Sequence, residues 1–165
     1  MPNAVVPECA VIDWQRTREF YVNSLGFSVA YERPEDGFSY LILGDIEIMI
    51  DQIGLGRDFD DAYTPKSAPF GRGVNLQLRV PDVVALHDRV TSRGISIVRP
   101  LEDRWYRTGD RESGNRQFVI ADPDGYLLRF YKIWANATPL DLCVNLGSSG
   151  RKSLWGQTCA TVVKS

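Results

Sequence analysis

The sequence has little of what metal centres and disulfide frameworks require. Its 165 residues include 3 cysteines and a single histidine. Cys9, Cys143 and Cys159 are odd in number and have no C-x-x-C spacing, which argues against a disulfide framework and a thiolate zinc site. The N-terminus also has no basic stretch followed by an apolar run of signal-peptide length. These features predict a cytoplasmic protein with reduced thiols.

Long apolar runs and an excess of positive charge are also missing. The longest apolar candidate, residues 40–50, is interrupted by Gly44, Asp45 and Glu47 and falls short of the roughly 18 residues that span a bilayer. A net charge of -2 and a pI of about 5.4 provide no basic surface for a phosphate backbone. We therefore expect no membrane insertion, no nucleic-acid partner, and a neutral or cationic small molecule as the ligand.

The chain contains instead two similar runs of predicted elements, each made of a strand, a capped helix and three further strands. In the first, Asp13 caps the helix and Gly26 ends it, and the strands cover residues 4–12, 27–31, 38–43 and 46–51. In the second, Asp82 caps the helix and Gly94 ends it, and the strands cover residues 74–80, 95–98, 117–121 and 126–133. This internal repeat predicts an α+β fold of two βαβββ modules.

The same pattern predicts where the modules begin and end. The first module covers residues 3–53, a connecting loop rich in Gly, Asp and Pro covers 54–73, and the second module covers 74–134. Residues 135–165 have no clear period and form a C-terminal appendage without an assigned role.

Three predicted strands alternate between apolar and polar side chains. Asn75, Gln77 and Arg79 form one polar row, and the other two rows are Glu47, Met49, Asp51 and Leu127, Arg129, Tyr131. An antiparallel sheet with one solvated face produces this alternation. Polar rows from two modules that curve around a shared hollow would produce it as well, and the sequence leaves both interpretations open.

Several stretches carry a resemblance to a known family: Phe20-Tyr21 with Leu25-Gly26-Phe27, Gly71-Arg-Gly-Val-Asn75, Trp105-Tyr106-Arg107, Gly114-Asn-Arg-Gln-Phe118 and Asp122-Pro-Asp-Gly-Tyr-Leu-Leu-Arg-Phe130. Over residues 4–133 the chain resembles the vicinal oxygen chelate (glyoxalase/bleomycin resistance/dioxygenase) superfamily, and within it the bleomycin-resistance branch. The resemblance implies a curved mixed sheet from both modules around a ligand cleft. It also implies a homodimer whose clefts form across the subunit contact.

The resemblance identifies four positions at which metal-dependent members hold a divalent ion. Counting along the chain places these at Val6, Met49, Asn75 and Arg129, which do not form a plausible set of ligands. We therefore expect no metal, no cofactor and no catalytic residue. An unusual carboxylate site built from Glu8, Glu47 and Asp51 is the open alternative, and His87 is expected to be solvated or to cap the second helix.

The side chains expected to contact the ligand combine aromatic faces with charged and amide groups: Glu8, Phe38, Tyr40, Glu47, Met49, Asn75, Trp105, Tyr106, Arg116 and Arg129. Trp105 and Tyr106 are assigned to a connecting segment, where Trp105 either stacks on the ligand or fills the junction between the modules. Arg116 either contacts an anion or pairs with a strand acid. The acidic stretch 57–61 is the expected mobile lid or a solvated loop.

The leading hypothesis is a protein that sequesters bleomycin-type antibiotics and confers resistance without chemistry. Ser113 stands where the family commonly has tryptophan, which also favours another aromatic ligand. The first rival is a metal-dependent lyase, isomerase or dioxygenase of the same superfamily. The second is an interaction module in which residues 136–165 dock on a partner.

Overall fold

A computed structural model describes residues 3–56 and 67–137, with side chains up to residue 134. The described residues divide into two compact units. The first lies within Met1–Glu102 and Arg116–Lys132, and the second comprises Asp103–Asn115 and the described chain from Ile133. The module boundaries predicted from the sequence are based on the internal repeat, whereas these units are defined by compactness. The predicted boundaries therefore stay predictions.

The first run of elements contains one helix and four strands. Strand β1 is Glu8–Val11, helix α1 is Trp14–Glu19 and continues as a π-helical segment Phe20–Leu25, and β2 is Ser28–Arg33. A 3-10 turn Pro34–Asp36 then leads to β3, Phe38–Leu43, and β4, Ile46–Gln52.

The second run repeats this order. It consists of β5, Asn75–Arg79, helix α2, Val83–Ser92, β6, Ile97–Thr108, β7, Arg111–Ala121, and β8, Leu127–Ala137.

The two runs form two four-stranded sheets with the same strand order. One sheet is ordered β1-β4-β3-β2 and the other β5-β8-β7-β6. In each sheet the first and last strands of the module pair in parallel, β1 with β4 and β5 with β8, while β3 pairs antiparallel with both β2 and β4. The predicted α+β fold of two βαβββ modules is confirmed.

Both helices begin and end with the signals found in the sequence. The Asp13 carboxylate accepts a hydrogen bond from the backbone N–H of Arg16 at 3.0 Å, and the Asp82 carboxylate accepts from Val84 and Ala85. These bonds satisfy N–H groups that have no partner inside the helix. Gly26 ends the first helical segment with φ at 87°, a left-handed conformation that glycine adopts without strain.

One hydrophobic core lies on the helix side of both sheets. Leu41 and Ile48 of the first sheet, Phe118 and Phe130 of the second, and Tyr21 of the π-helical segment belong to the same buried cluster. Because strand residues alternate between faces, the neighbouring side chains Met49 and Arg129 lie on the faces turned away from this core. Each module therefore presents a sheet face that its own helix does not cover.

Three strands of the second module are longer than the sequence predicted, and β8 extends to Ala137 instead of ending at residue 133. The predicted strands 95–98 and 117–121 are observed as Ile97–Thr108 and Arg111–Ala121, joined by Gly109 and Asp110. Placing Trp105 and Tyr106 in a connecting segment was therefore wrong, because both lie on β6. Most of β6 is exposed and charged side chains interrupt it, so no apolar alternation marks it as a strand.

Candidate ligand-binding faces

An aromatic stack covers the outer face of the first sheet. Tyr31 on β2 is the register partner of Tyr40 on β3, and their rings stack with centroids 5.1 Å apart at an interplanar angle of 24°. The Tyr31 ring also lies 5.8 Å from Phe38, and the Arg33 guanidinium carbon lies 3.9 Å above the Phe38 ring. Phe38 and Tyr40 are buried while Tyr31 is 52% exposed, so Tyr31 offers the accessible ring of the stack.

The sequence predicted Phe38 and Tyr40 as site residues but missed Tyr31. The β2–β3 register shifts between Val29 and Tyr31, so one residue of β2 is left out of the alternation. Counting residues along β2 therefore does not reveal that Tyr31 faces Tyr40. Only the pairing of the two strands brings these rings together.

A carboxylate lies at the edge of the aromatic stack. The Tyr40 hydroxyl donates a short hydrogen bond to Glu47, and the backbone N–H of Asn3 donates to the same carboxylate at 3.0 Å. The bond from Tyr40 and the bond from Asn3 lower the pKa of Glu47, and the bond to Glu47 raises the pKa of Tyr40 to about 12. At neutral pH the site therefore pairs a neutral phenol with an ionised carboxylate.

The strand register aligns a further pair of predicted residues with the stack. Met49 on β4 pairs with Tyr40 on one side and with Glu8 on the other. Five of the ten predicted site residues are thus neighbours on one sheet face: Glu8, Phe38, Tyr40, Glu47 and Met49. Asp51, from the alternative carboxylate site, is buried further along β4.

The register shows which residues face the predicted positions Met49 and Arg129 across the parallel strand pairs. Val6 precedes β1, and Glu8 rather than Val6 is the partner of Met49. In the second sheet Gln77 rather than Asn75 is the partner of Arg129.

The outer face of the second sheet carries amides and arginines. Asn75, Gln77 and Arg79 are exposed along β5, and their partners on β8 are Leu127, Arg129 and Tyr131. Arg116 is not on this face, because on β7 it alternates with Gln117 and shares the parity of the core residue Phe118. The structure therefore places Asn75 and Arg129 together but leaves Arg116 on the opposite side of the sheet.

The remaining predicted aromatic residues belong to the second compact unit. Trp105 packs edge-to-face against Trp134, with centroids 5.2 Å apart. A side chain on Gly114 would lie 3.1 to 3.2 Å from both indoles, so the glycine allows them to meet. Tyr106 is partly exposed beside them on β6. The sequence analysis missed Trp134, whose contact with Trp105 depends on strand pairing.

Within residues 3–56 and 67–137, no three His, Cys, Asp or Glu side chains are grouped to hold a metal ion. The His87 ring packs edge-to-face on Phe118 at 5.2 Å and its Nδ1 lies 3.5 Å from Asp88. The His87 side chain is therefore partly exposed to solvent, with one face of contact on Phe118. The predicted lid, 57–61, lies outside the described residues. No described helix is long and apolar enough to cross a membrane.

Comparisons with known proteins cover most of the chain. The family described as Glyoxalase/Bleomycin resistance protein/Dioxygenase superfamily matches residues 5–130. None of the curated proteins compared with the chain matches it. The solved structure of TioX from Micromonospora sp. ML1 is 26% identical, covers 80% of this chain and 99% of its own, and has a TM-score of 0.60.

Two further solved structures are similar to the chain. Virulence protein STM3117 from Salmonella typhimurium is 22% identical over 80% of this chain and 97% of its own, with a TM-score of 0.59. A glyoxalase/bleomycin resistance protein/dioxygenase superfamily member from Vibrio splendidus 12B01 is 35% identical over 77% of this chain and 95% of its own, with a TM-score of 0.35.

Proposed function

We propose, because this chain belongs to the Glyoxalase/Bleomycin resistance protein/Dioxygenase superfamily, that it is a sequestering protein. In this proposal it binds a flat aromatic small molecule, of the bleomycin type or of another aromatic class, and releases it unchanged. Binding alone lowers the free concentration of the compound, and resistance follows from that.

The observation that carries the proposal is the open aromatic stack beside an ionised acid. A planar ligand ring adds to the stack by lying on the accessible side of Tyr31, which already stacks on Tyr40. Offset stacking contributes roughly 0.5 to 1.5 kcal/mol beyond the buried area. Glu47 at the edge of the stack attracts a cationic substituent of the same ligand, because its hydrogen bonds keep it ionised.

The chemistry of the stack favours binding over turnover. Tyr40 has a pKa of about 12, far above the range in which a general base works near neutral pH. The described histidine, His87, is partly exposed on α2, where it packs on Phe118, and is not part of the stack. A metal-dependent lyase, isomerase or dioxygenase remains the rival function.

The proposal includes a homodimer in the cytoplasm. The family resemblance implies that ligand clefts form across a subunit contact, and each module presents one sheet face that its own helix does not cover. A second copy would cover such faces and complete the enclosure of a ligand. The cytoplasmic location rests on the odd number of cysteines and on the absence of C-x-x-C spacing.

A titration of the purified protein with metal-free bleomycin tests the proposal. Trp14 donates to Ser39 on β3 at 2.7 Å, so it lies directly behind Tyr40 and its fluorescence should respond to a ligand on the stack. We expect saturable quenching in the micromolar range or below, unchanged by excess chelator. Tyr31→Ala should weaken binding roughly 3- to 10-fold, whereas Val84→Ala on the exposed face of α2 should not.

Two results would count against the proposal. Quenching that is the same in Tyr31→Ala and in the wild type would mean that the ligand does not use the stack. A divalent metal that co-purifies stoichiometrically, with bleomycin binding absent, would favour the enzymatic rival. If the protein binds other flat aromatic compounds but not bleomycin, sequestration stays the proposed function and bleomycin is excluded as its ligand.

A further inference from the structure

The second sheet contains an arginine without a described partner. Arg129 lies half-buried on β8, and its Nε atom is fully buried with no hydrogen-bond acceptor. Its guanidinium forms no ion pair with any residue in the described ranges. Buried polar groups in proteins are nearly always paired, and a guanidinium removed from water without an acceptor costs considerable free energy. An unpaired, half-buried cation therefore indicates a missing anion.

The register partner of Arg129 carries an amide rather than an acid. Gln77 is its register partner on β5 and offers an exposed side-chain amide. Glu102 is on β6, which β7 separates from β8 in the sheet, and its carboxylate accepts a hydrogen bond from Gln117 at 3.3 Å and lies 4.0 Å from Arg99.

A cavity connects this region with the edge of the aromatic stack. Its volume is about 360 Å³, and its lining includes Glu47 from the first sheet together with Gln77, Arg79 and Tyr131 from the second. This volume lies at the lower end of the range for small-molecule pockets. Gln77 lines the cavity and is also the register partner of Arg129, so a ligand that extends past Gln77 from the cavity would approach Arg129.

We propose that Arg129 and Gln77 form a receptor for a carboxylate or similar oxyanion of the ligand. The inference rests on the proposed sequestering function and narrows its ligand to a flat aromatic compound that carries an acidic group. The guanidinium donates charge-assisted hydrogen bonds to the ligand oxygens, and the Gln77 amide donates a further one. Binding then supplies the anion that the unliganded face lacks.

Two isosteric probes test the receptor directly. The probes are 2-naphthoate and 2-naphthamide, which share a flat aromatic body and differ in carrying a carboxylate or a neutral amide. We expect the wild-type protein to bind naphthoate about 10-fold more tightly than naphthamide by calorimetry. Arg129→Gln should bring the two affinities to within about 2-fold, and Arg129→Lys should retain part of the preference. Arg93→Gln, at the exposed end of α2, should leave it unchanged.

The outcomes separate this inference from the proposed function. Equal affinities for both probes in the wild type, or a preference that survives in Arg129→Gln, would overturn the receptor while leaving aromatic binding intact. If neither probe binds, no acid is taken up at Arg129 and the receptor is excluded, whereas the sequestering function is decided by the bleomycin titration. Loss of naphthoate preference in Arg93→Gln would assign the effect to overall charge rather than to Arg129.

Discussion

Two aspartates in the turn between β7 and β8 accept hydrogen bonds from different parts of the chain. The Asp122 carboxylate accepts hydrogen bonds from the backbone N–H groups of Asp124 at 3.0 Å and Tyr126 at 2.9 Å, and from the Tyr21 hydroxyl at 3.1 Å. Asp124 is fully buried and instead accepts from Thr17 and Ile12 of the first module. The local turn therefore depends on Asp122, while Asp124 links the turn to another part of the chain.

Asp122 gives the folded protein a defined pH dependence. Burial raises its pKa from 3.8 to about 6, so between these values the folded protein binds more protons than the unfolded chain. The contribution of Asp122 to the free energy of unfolding therefore falls as pH rises from about 4 to about 6 and is constant above. Asp122→Asn cannot ionise, and its stability relative to the wild type should increase over this window by up to about 3 kcal/mol.

Urea unfolding at pH 4, 5, 6 and 7 measures this difference. The exposed turn residue Asp110 provides the control, because Asp110→Asn should show a difference from the wild type that does not vary over the same range. A stability difference between Asp122→Asn and the wild type that is the same at all four pH values would contradict the assignment.

Some site residues were predicted from the sequence and others were missed, and the difference depends on the local pattern around each residue. Phe38, Tyr40, Glu47 and Met49 share a face because they follow regular alternation, and alternation is readable from the sequence. Tyr31 was missed because a register shift in β2 interrupts the alternation. The pairing of Gln77 with Arg129 was missed because it joins two strands about 50 residues apart, and no local pattern fixes such a register.

The turn that connects the elements β7 and β8 requires glycine at position 125 for two reasons, its backbone conformation and its close neighbours. Gly125 has φ at 91°, and a Cβ there would lie 2.4 Å from Cβ and 3.0 Å from Cα of Pro69. Gly44 between β3 and β4 also has positive φ, at 60°, but a Cβ there meets nothing within 4 Å. A substitution at Gly44 thus introduces backbone strain alone, whereas a substitution at Gly125 introduces backbone strain and a steric contact.

Replacing each glycine by alanine should therefore give different losses of stability. Gly44→Ala should cost roughly 1 to 2 kcal/mol from the left-handed backbone alone. Gly125→Ala should cost roughly 2 to 5 kcal/mol, because the contact with Pro69 adds to the strain. Urea unfolding measures both values, and equal losses in the two variants would mean that the Pro69 segment moves aside without cost.

The elements themselves were predictable to different degrees. The helices were recognised because Asp13 and Asp82 cap them and Gly26 and Gly94 follow them, so each signal is local. The short buried strands were recognised by their apolar alternation. The outer part of β6 was not recognised, because a strand that is mostly exposed needs no apolar side chains. The outer part of β7 was not recognised either, because its residues 111–116 show no apolar alternation, and the Gly109-Asp110 turn was the remaining signal for the hairpin.

At the scale of the whole molecule, the first compact unit is joined across its two sheets by more than the shared core. Asp124 follows β7, yet its carboxylate accepts a hydrogen bond from the Thr17 hydroxyl at 2.6 Å and from the Ile12 N–H at 3.0 Å. Arg16 adds a contact to the same carboxylate at 3.3 Å. Thr17 and Asp124 are both fully buried, so a side chain supplied by the second module is held by the first module.

This link predicts that the modules unfold together and that Thr17 contributes to the stability of both. Thr17→Val keeps the shape of the side chain but leaves the buried carboxylate one donor short, which should cost roughly 1.5 to 3 kcal/mol. Thr91→Val, on the exposed side of α2, makes the same chemical change without a buried partner and should cost little. Unfolding followed by Trp fluorescence and by far-UV circular dichroism should give one shared transition, shifted in Thr17→Val. Two separate transitions would mean that each module is stable alone and that the link at Asp124 does not couple them.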